Sequence, residues 1–221
     1  MKKPLLLLLL IIGLQCTTAQ TKYDNLWKEV EQFELDGKFK SASEVVDKIL
    51  KRSSKANDSD QIVKSFIYKT KFALLLEENA QQQVIKEIQG YINTSKFPTD
   101  ALLTSVYAGF LEQYLAHNQY KIRNRTETLN SEETDDFEKW DANTLVAHIG
   151  ELHKQSLQHA NQLKETSIDK FKAILTESNT SKKYRPTLYD FLMHRALAFH
   201  KIDRWYVNRP EERFFLNDPV I

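Results

Sequence analysis

The stretch Tyr23-Asp24-Asn25-Leu26-Trp27-Lys28-Glu29-Val30-Glu31-Gln32-Phe33-Glu34-Leu35-Asp36-Gly37 decides the fold of this chain. Leu26, Trp27, Val30, Phe33 and Leu35 recur at helical spacing and make one apolar stripe. Lys28, Glu29, Glu31, Gln32 and Glu34 fall on the wet side. Asp36-Gly37 closes the helix, since glycine adopts the left-handed conformation of a helix end at little cost. Ser41 and Glu44 follow at capping-box spacing, and Ala42, Val45, Val46, Ile49 and Leu50 line a second helix.

The same reading extends along the chain. Lys51 to Asp60 is polar and predicts a loop, after which Gln61 to Leu76 predicts a third helix that can bury Ile62, Phe66, Phe72 and Ala73. A fourth is expected from about Ala80 to Ile92, around Val84, Ile85 and Ile88. Pro98 restarts the chain, a proline being tolerated in a first helical turn, and Ala101 to Leu115 carries Leu102, Val106, Phe110 and Tyr114 at helical spacing. Asp141 to Leu163 reads as one long helix on Leu145, Val146, Ile149, Leu152 and Leu157. Near the end, Pro186 can open a helix in which Thr187 and Asp190 have capping-box-like spacing. Leu188, Phe191, Leu192, Arg195 and Phe199 share a face there, and Arg195 needs a partner, either Asp190 or an acid elsewhere. Five Gly and five Pro leave little material for tight β-turns.

The fold class expected is therefore all-α, with antiparallel helical hairpins. Gly37, Phe39, Ala42 and Val46 resemble the turn and second helix of a tetratricopeptide unit, in which a glycine turns the chain and a small residue lets two helices approach. Later pairs lack that glycine and alanine, so the array is TPR-like rather than TPR. Stacked pairs of this kind bury a shared core and present a surface for other proteins.

The first residues speak of address. Lys2 and Lys3 precede an apolar run from Leu5 to Leu14, and Thr17-Thr18-Ala19 offers small residues to a signal peptidase. The run is too short for a permanent span, which takes roughly 20 residues, so no transmembrane helix is expected. A cleavable signal peptide at 1–19, cut before Gln20, implies export to the periplasm or envelope of a Gram-negative bacterium. Cys16 raises the alternative of a lipid anchor, but Gly13-Leu14-Gln15 ahead of it fits a lipoprotein signal poorly. With Cys16 removed, the mature chain has no cysteine and hence no disulfide or thiolate chemistry. Losing two lysines and no acid takes the formal charge from +1 to −1, which leaves no electrostatic footprint for nucleic acid. Apolar content of 41%, with 12 Phe and 9 Tyr, is ample for a packed core and argues against disorder.

Motifs for chemistry are missing. The acidic tract between Arg123 and Asp141, with Glu127, Glu132, Glu133, Asp135, Asp136 and Glu138, contains no glycine and so fails as an EF-hand loop. It reads as a solvated linker. His148, His153 and His159 are spaced five and six apart, where two helical zinc ligands want three or four; His194 and His200 fail the same test. There is no G-x-S-x-G elbow, P-loop or G-x-G-x-x-G. Neither enzyme activity, metal nor cofactor is expected. The organisation expected is a signal peptide at 1–19, TPR-like hairpins at 20–122, an acidic linker at 123–140 and a C-terminal helical segment at 141–221. Trp27, Gly37, Ala42, Trp140, Arg185, Tyr189, Asp190 and Arg195 are the structural or partner-binding candidates.

The order of features carries a family resemblance. Tyr23 to Val30, then Lys96-Phe97-Pro98, Ala101-Leu102-Leu103, Arg125-Thr126-Glu127-Thr128, Trp140-Asp141 and Arg185-Pro186-Thr187-Leu188-Tyr189-Asp190-Phe191-Leu192 resemble the N-terminal helical region of the large alpha-2-macroglobulin-like proteins exported by Bacteroidetes-type bacteria. The resemblance implies a non-enzymatic module of an endopeptidase inhibitor family. Such proteins trap proteases with a bait region, and many carry a thioester in a C-x-E-Q motif. This chain has neither that motif nor β-rich stretches of domain length, so no bait or thioester residue carries over. The resemblance implies sandwich domains after Phe214 to Ile221, so the chain is either a truncated product or a stand-alone version of the leading module. An exported TPR-like adaptor for a protein partner is the alternative.

Overall fold

A computed structural model describes residues 18–76, 78–123, 136–171, 174–175 and 183–201. Most of the expected signal peptide, most of the acidic tract with Arg125 to Thr128, and the tail from 202 lie outside the described residues. Among the described residues the chain is all-helical, without strands. The helices are α1 (Thr18–Leu35), α2 (Phe39–Ala56), α3 (Ser59–Ala73), α4 (Glu78–Thr94), α5 (Thr99–His117), α6 (Gln119–Arg123), α7 (Ala142–Gln155), α8 (Ala160–Glu165) and α9 (Leu188–His200). Short 3-10 turns occupy Phe137–Lys139 and Ile168–Phe171. No described helix is long and apolar enough to cross a membrane. They fall into two compact units, one reaching Ser95 and one beginning at Lys96.

In the first unit each helix packs on the next in sequence, α1 on α2, α2 on α3 and α3 on α4. The core of the first pair follows the stripe expected from the sequence except at Leu35, which is exposed at the end of α1: Trp27, Val30, Ala42, Val46 and Ile49 are buried, with Phe72 from α3. Burying such side chains stabilises by about 1.5–3 kcal/mol each. Gly37 has φ +72° and ends α1, its N–H donating to the Glu34 carbonyl at 3.0 Å. α1 begins at Thr18 rather than Tyr23.

Two local expectations are corrected. Ser41 and Glu44 lie inside α2, which begins at Phe39 with Lys38 as an N-cap without a side-chain bond. Their spacing is right but they fall a turn too late, because Gly37 sends the chain straight back into a helix. Lys51 to Asp60 is not a loop either. α2 continues to Ala56, and only Asn57-Asp58 connects it to α3. Asn57 takes φ +52°, the Asp58 N–H donates to the Ser53 carbonyl at 2.9 Å, and the Asp58 carboxylate accepts from the Gln61 N–H. The polar residues of this stretch are an exposed helix end, so scarcity of apolar residues marked solvent and not a break.

In the second unit α5 packs on α7, α7 on α9 and α9 on α8. α5, grouped by the sequence reading with the hairpins of 20–122, belongs to this unit. Leu102, Leu103, Ala108 and Leu111 point different ways around it yet all are buried, as in a helix covered on several sides. The long helix expected over Asp141–Leu163 is broken. α7 stops at Gln155 and α8 restarts at Ala160; between them the buried Ser156 hydroxyl donates to the His153 carbonyl at 2.7 Å. α9 opens on a full capping box: the Asp190 N–H donates to the Thr187 hydroxyl, and the Thr187 N–H to the Asp190 carboxylate. Pro186 stands ahead of that cap, its carbonyl accepting from the Ile168 N–H at 3.0 Å.

Replacing Gly37 by Ala forces a side chain into the left-handed region, where nothing else crowds it. The expected outcome is a loss of about 1 kcal/mol in denaturant unfolding, with the helical circular dichroism spectrum unchanged.

Candidate functional site

Among the described residues, each unit holds a cation where the helical pattern alone would have placed an apolar residue. In the first unit it is Lys69 on α3, in register with Phe66 and Phe72, with a side chain only 7% exposed. Its ammonium bonds the Asp47 carboxylate of α2 and, at 2.7 Å, the Glu87 carboxylate of α4. Burial alone would push Lys69 down; the bonds from Asp47 and Glu87 outweigh it and hold the group above its ordinary value of 10.5. Above this ion triad runs an open groove of about 680 Å³. Lys51, Ser54 and Lys55 of α2 and Gln83, Lys86 and Tyr91 of α4 form its walls. The Ser54 hydroxyl donates to the Leu50 carbonyl at 2.7 Å, so the Tyr91 hydroxyl supplies the proton of the 2.7 Å bond between the two side chains.

In the second unit the cation is the half-buried Arg195 on α9, whose Nη2 donates to the Ser105 carbonyl of α5 at 3.1 Å. Its Nε and the Ser105 hydroxyl have no partner among the described residues. Burial lowers the guanidinium from its ordinary value, and the charge of Glu112 opposes that. Glu112 in turn bonds Nε2 of His153 at 2.7 Å, and that imidazole is fully buried against Phe199. Arg195 does not pair with Asp190, whose carboxylate is engaged in the α9 cap. The guanidinium fits because α5 carries Gly109: a Cβ there would stand 2.5 Å from Nη2.

The sequence-derived candidates divide between these units. Trp27 is buried, its indole N–H donating to Gln61 at 2.7 Å while Lys64 lies over its ring at 4.2 Å. Gly37 and Ala42 serve the first turn and the α1–α2 core. Trp140 meets the His148 ring edge-on at 4.8 Å, and burial pushes His148 below its ordinary value. Arg185 is half-buried in the extended stretch before α9. Tyr189 lies under Lys164, 4.9 Å from the ring centre. His159 is largely exposed beside Phe97 and Asp100. Among the described residues no group of three or more His, Cys, Asp or Glu is placed to hold a metal ion. Lys69, Asp47, Glu87, Glu112 and Gly109 were missed by sequence reasoning. Lys69 carries the signal that singled out Arg195, a cation within an apolar stripe. No family model matches the chain, and no curated protein or solved structure matches it.

Two variants test these sites. Lys69→Ala leaves Asp47 and Glu87 facing each other without their cation, and the expected loss at neutral pH is about 1–3 kcal/mol, moderated because both carboxylates touch solvent. A raised folded-state pKa means that this stability is fully present below pH 10.5 and is lost as pH rises through the folded value. On the alkaline side, the gap between wild type and variant in denaturant melts should therefore narrow only as the pH passes above 10.5. Gly109→Ala should destabilise by about 1–3 kcal/mol despite the better helix propensity of alanine, because the guanidinium must leave Ser105. Combining it with Arg195→Met should recover much of the loss in the same melts.

Proposed function

We propose that this chain is a non-enzymatic helical module exported from the cytoplasm, which acts by binding a protein partner. The observation that carries the reading is the stacking of α1 to α4, each helix on its sequence neighbour, with Gly37 at the first turn and Ala42 in the first core. Consecutive hairpins of this TPR-like kind leave continuous faces for another chain. The chemistry of the histidines points the same way: His153 is tied to Glu112, and His148 sits among rings with its Nε2 unpartnered. Export to the envelope is supported by the Lys2-Lys3, Leu5–Leu14 and Thr17-Thr18-Ala19 sequence, with loss of Cys16 on cleavage favoured over lipidation.

Kinship with the N-terminal helical region of bacterial alpha-2-macroglobulin-like inhibitors rests on the runs from Tyr23 to Val30 and from Arg185 to Leu192. In that reading the module supports or docks a larger trap. A stand-alone TPR-like adaptor is the second reading, favoured by the α1–α2 turn.

Residues 1–19, placed with a short following segment ahead of alkaline phosphatase, should deliver periplasmic enzyme activity in a Gram-negative host. The purified chain should leave the digestion of a protein substrate by trypsin or subtilisin unchanged. Cytoplasmic retention of the fusion would sink the export reading, and slowed proteolysis would overturn the exclusion of a trap.

A further inference from the structure

We propose that the groove between α2 and α4 is the docking site for an extended, acidic segment of the partner protein. The inference rests on the protein-binding reading and names the chemistry of what binds.

The groove holds four ammonium groups, Lys51, Lys55, Lys69 and Lys86, against two carboxylates, Asp47 and Glu87. Both carboxylates are spent on Lys69 at the floor. Lys51, Lys55 and Lys86 stand exposed on the rim with no ion-pair partner among the described residues. The positive excess arises in a chain of almost no net charge, so it is local. Lys51 and Lys55 lie one turn apart on α2, an arrangement of like charges that costs the helix a few tenths of a kcal/mol. Lys55, in the last turn of α2, recovers part of that cost from the helix dipole. An anionic occupant would relieve the rest.

Two further features favour a polypeptide among anions. With its proton given to Ser54, the Tyr91 hydroxyl oxygen is left as an acceptor, which suits a main-chain N–H and not a sulfate or phosphate. On α4, Gly90 lies one turn beyond Lys86. Its backbone needs no glycine dihedral, and nothing packs within 4 Å of where a Cβ would stand. A mid-helix glycine without a packing reason costs roughly 0.5–1 kcal/mol relative to alanine, and it leaves the rim low for a passing backbone. Carboxylates on the segment would meet Lys51, Lys55 and Lys86, while its amides meet Tyr91.

The test uses the purified chain and a fluorescein-labelled decapeptide of alternating Glu and Ala, read by fluorescence anisotropy at low ionic strength. Saturable binding is expected, abolished at about 0.5 M salt as the Debye length shrinks below the span of the groove. The matching Gln-Ala peptide should not bind. K51Q/K55Q/K86Q should weaken binding about tenfold or more while shifting the thermal melt by no more than a degree or two, since no hydrogen bond or ion pair ties those side chains to the described residues. K40Q/K48Q, exposed lysines of α2 outside the groove, should bind like wild type. Failure of the Glu-Ala peptide to bind, or equal weakening in both variants, overturns the proposal. So does tight binding of a heparin fragment or oligothymidylate by a chain that ignores the peptide. Such failure, alongside an exported chain that captures a defined neutral or basic protein, would remove the acidic chemistry and leave the protein-binding reading standing.

Discussion

An ammonium group cannot leave water without its counter-charge, and this constraint shapes the first unit. Lys69 sits where the packing of α3 demands an apolar residue, so Asp47 of α2 and Glu87 of α4 must come to it. Three helices are thereby held in one register by bonds that tolerate little sliding. A hydrophobic interface alone would not specify that register so narrowly, because apolar contact is non-directional. The attraction is worth more here than between two exposed side chains, since the Lys69 end of both pairs is buried. The same clamp uses up the acids of the groove and leaves its rim positively charged. Structure and surface chemistry are thus two results of one buried charge.

The second unit meets the same constraint by other means. Arg195 is delocalised and always charged, so a backbone carbonyl at Ser105 and the nearby charge of Glu112 accommodate it. Space comes from the missing side chain of Gly109. Glu112 also holds His153, so one carboxylate serves two bases. The unit depends on an arrangement in which changing any member leaves another without support. Such arrangements give specificity where apolar packing gives bulk stability.

Much of the helical pattern was legible in the residues themselves. The stripe from Leu26 to Phe33, the glycine turn at Gly37 and the Thr187–Asp190 cap depend on contacts within one or two turns, and short-range spacing reports them faithfully. Errors arose where a pattern has two readings. Lys51 to Ala56 looked like a loop because it lacks apolar residues, yet an exposed helix end needs few. The stretch from Asp141 to Leu163 looked like one helix because its apolar residues keep one period, yet α7 ends at Gln155 and α8 starts at Ala160. The rim of the groove was only half legible: Lys51 and Lys55 are one turn apart on α2, but Lys86 joins them only when α2 and α4 pack on α3.

The sequence by itself determined the helical class and the absence of any cysteine after Cys16. Composition and local periodicity suffice for those. The tertiary structure alone decided which acid meets which base, because an ion pair between Lys69 and Glu87, or Arg195 near Glu112, joins residues that no local period relates. Spacing along a helix states which face a residue occupies. What that face meets depends on how the helices pack.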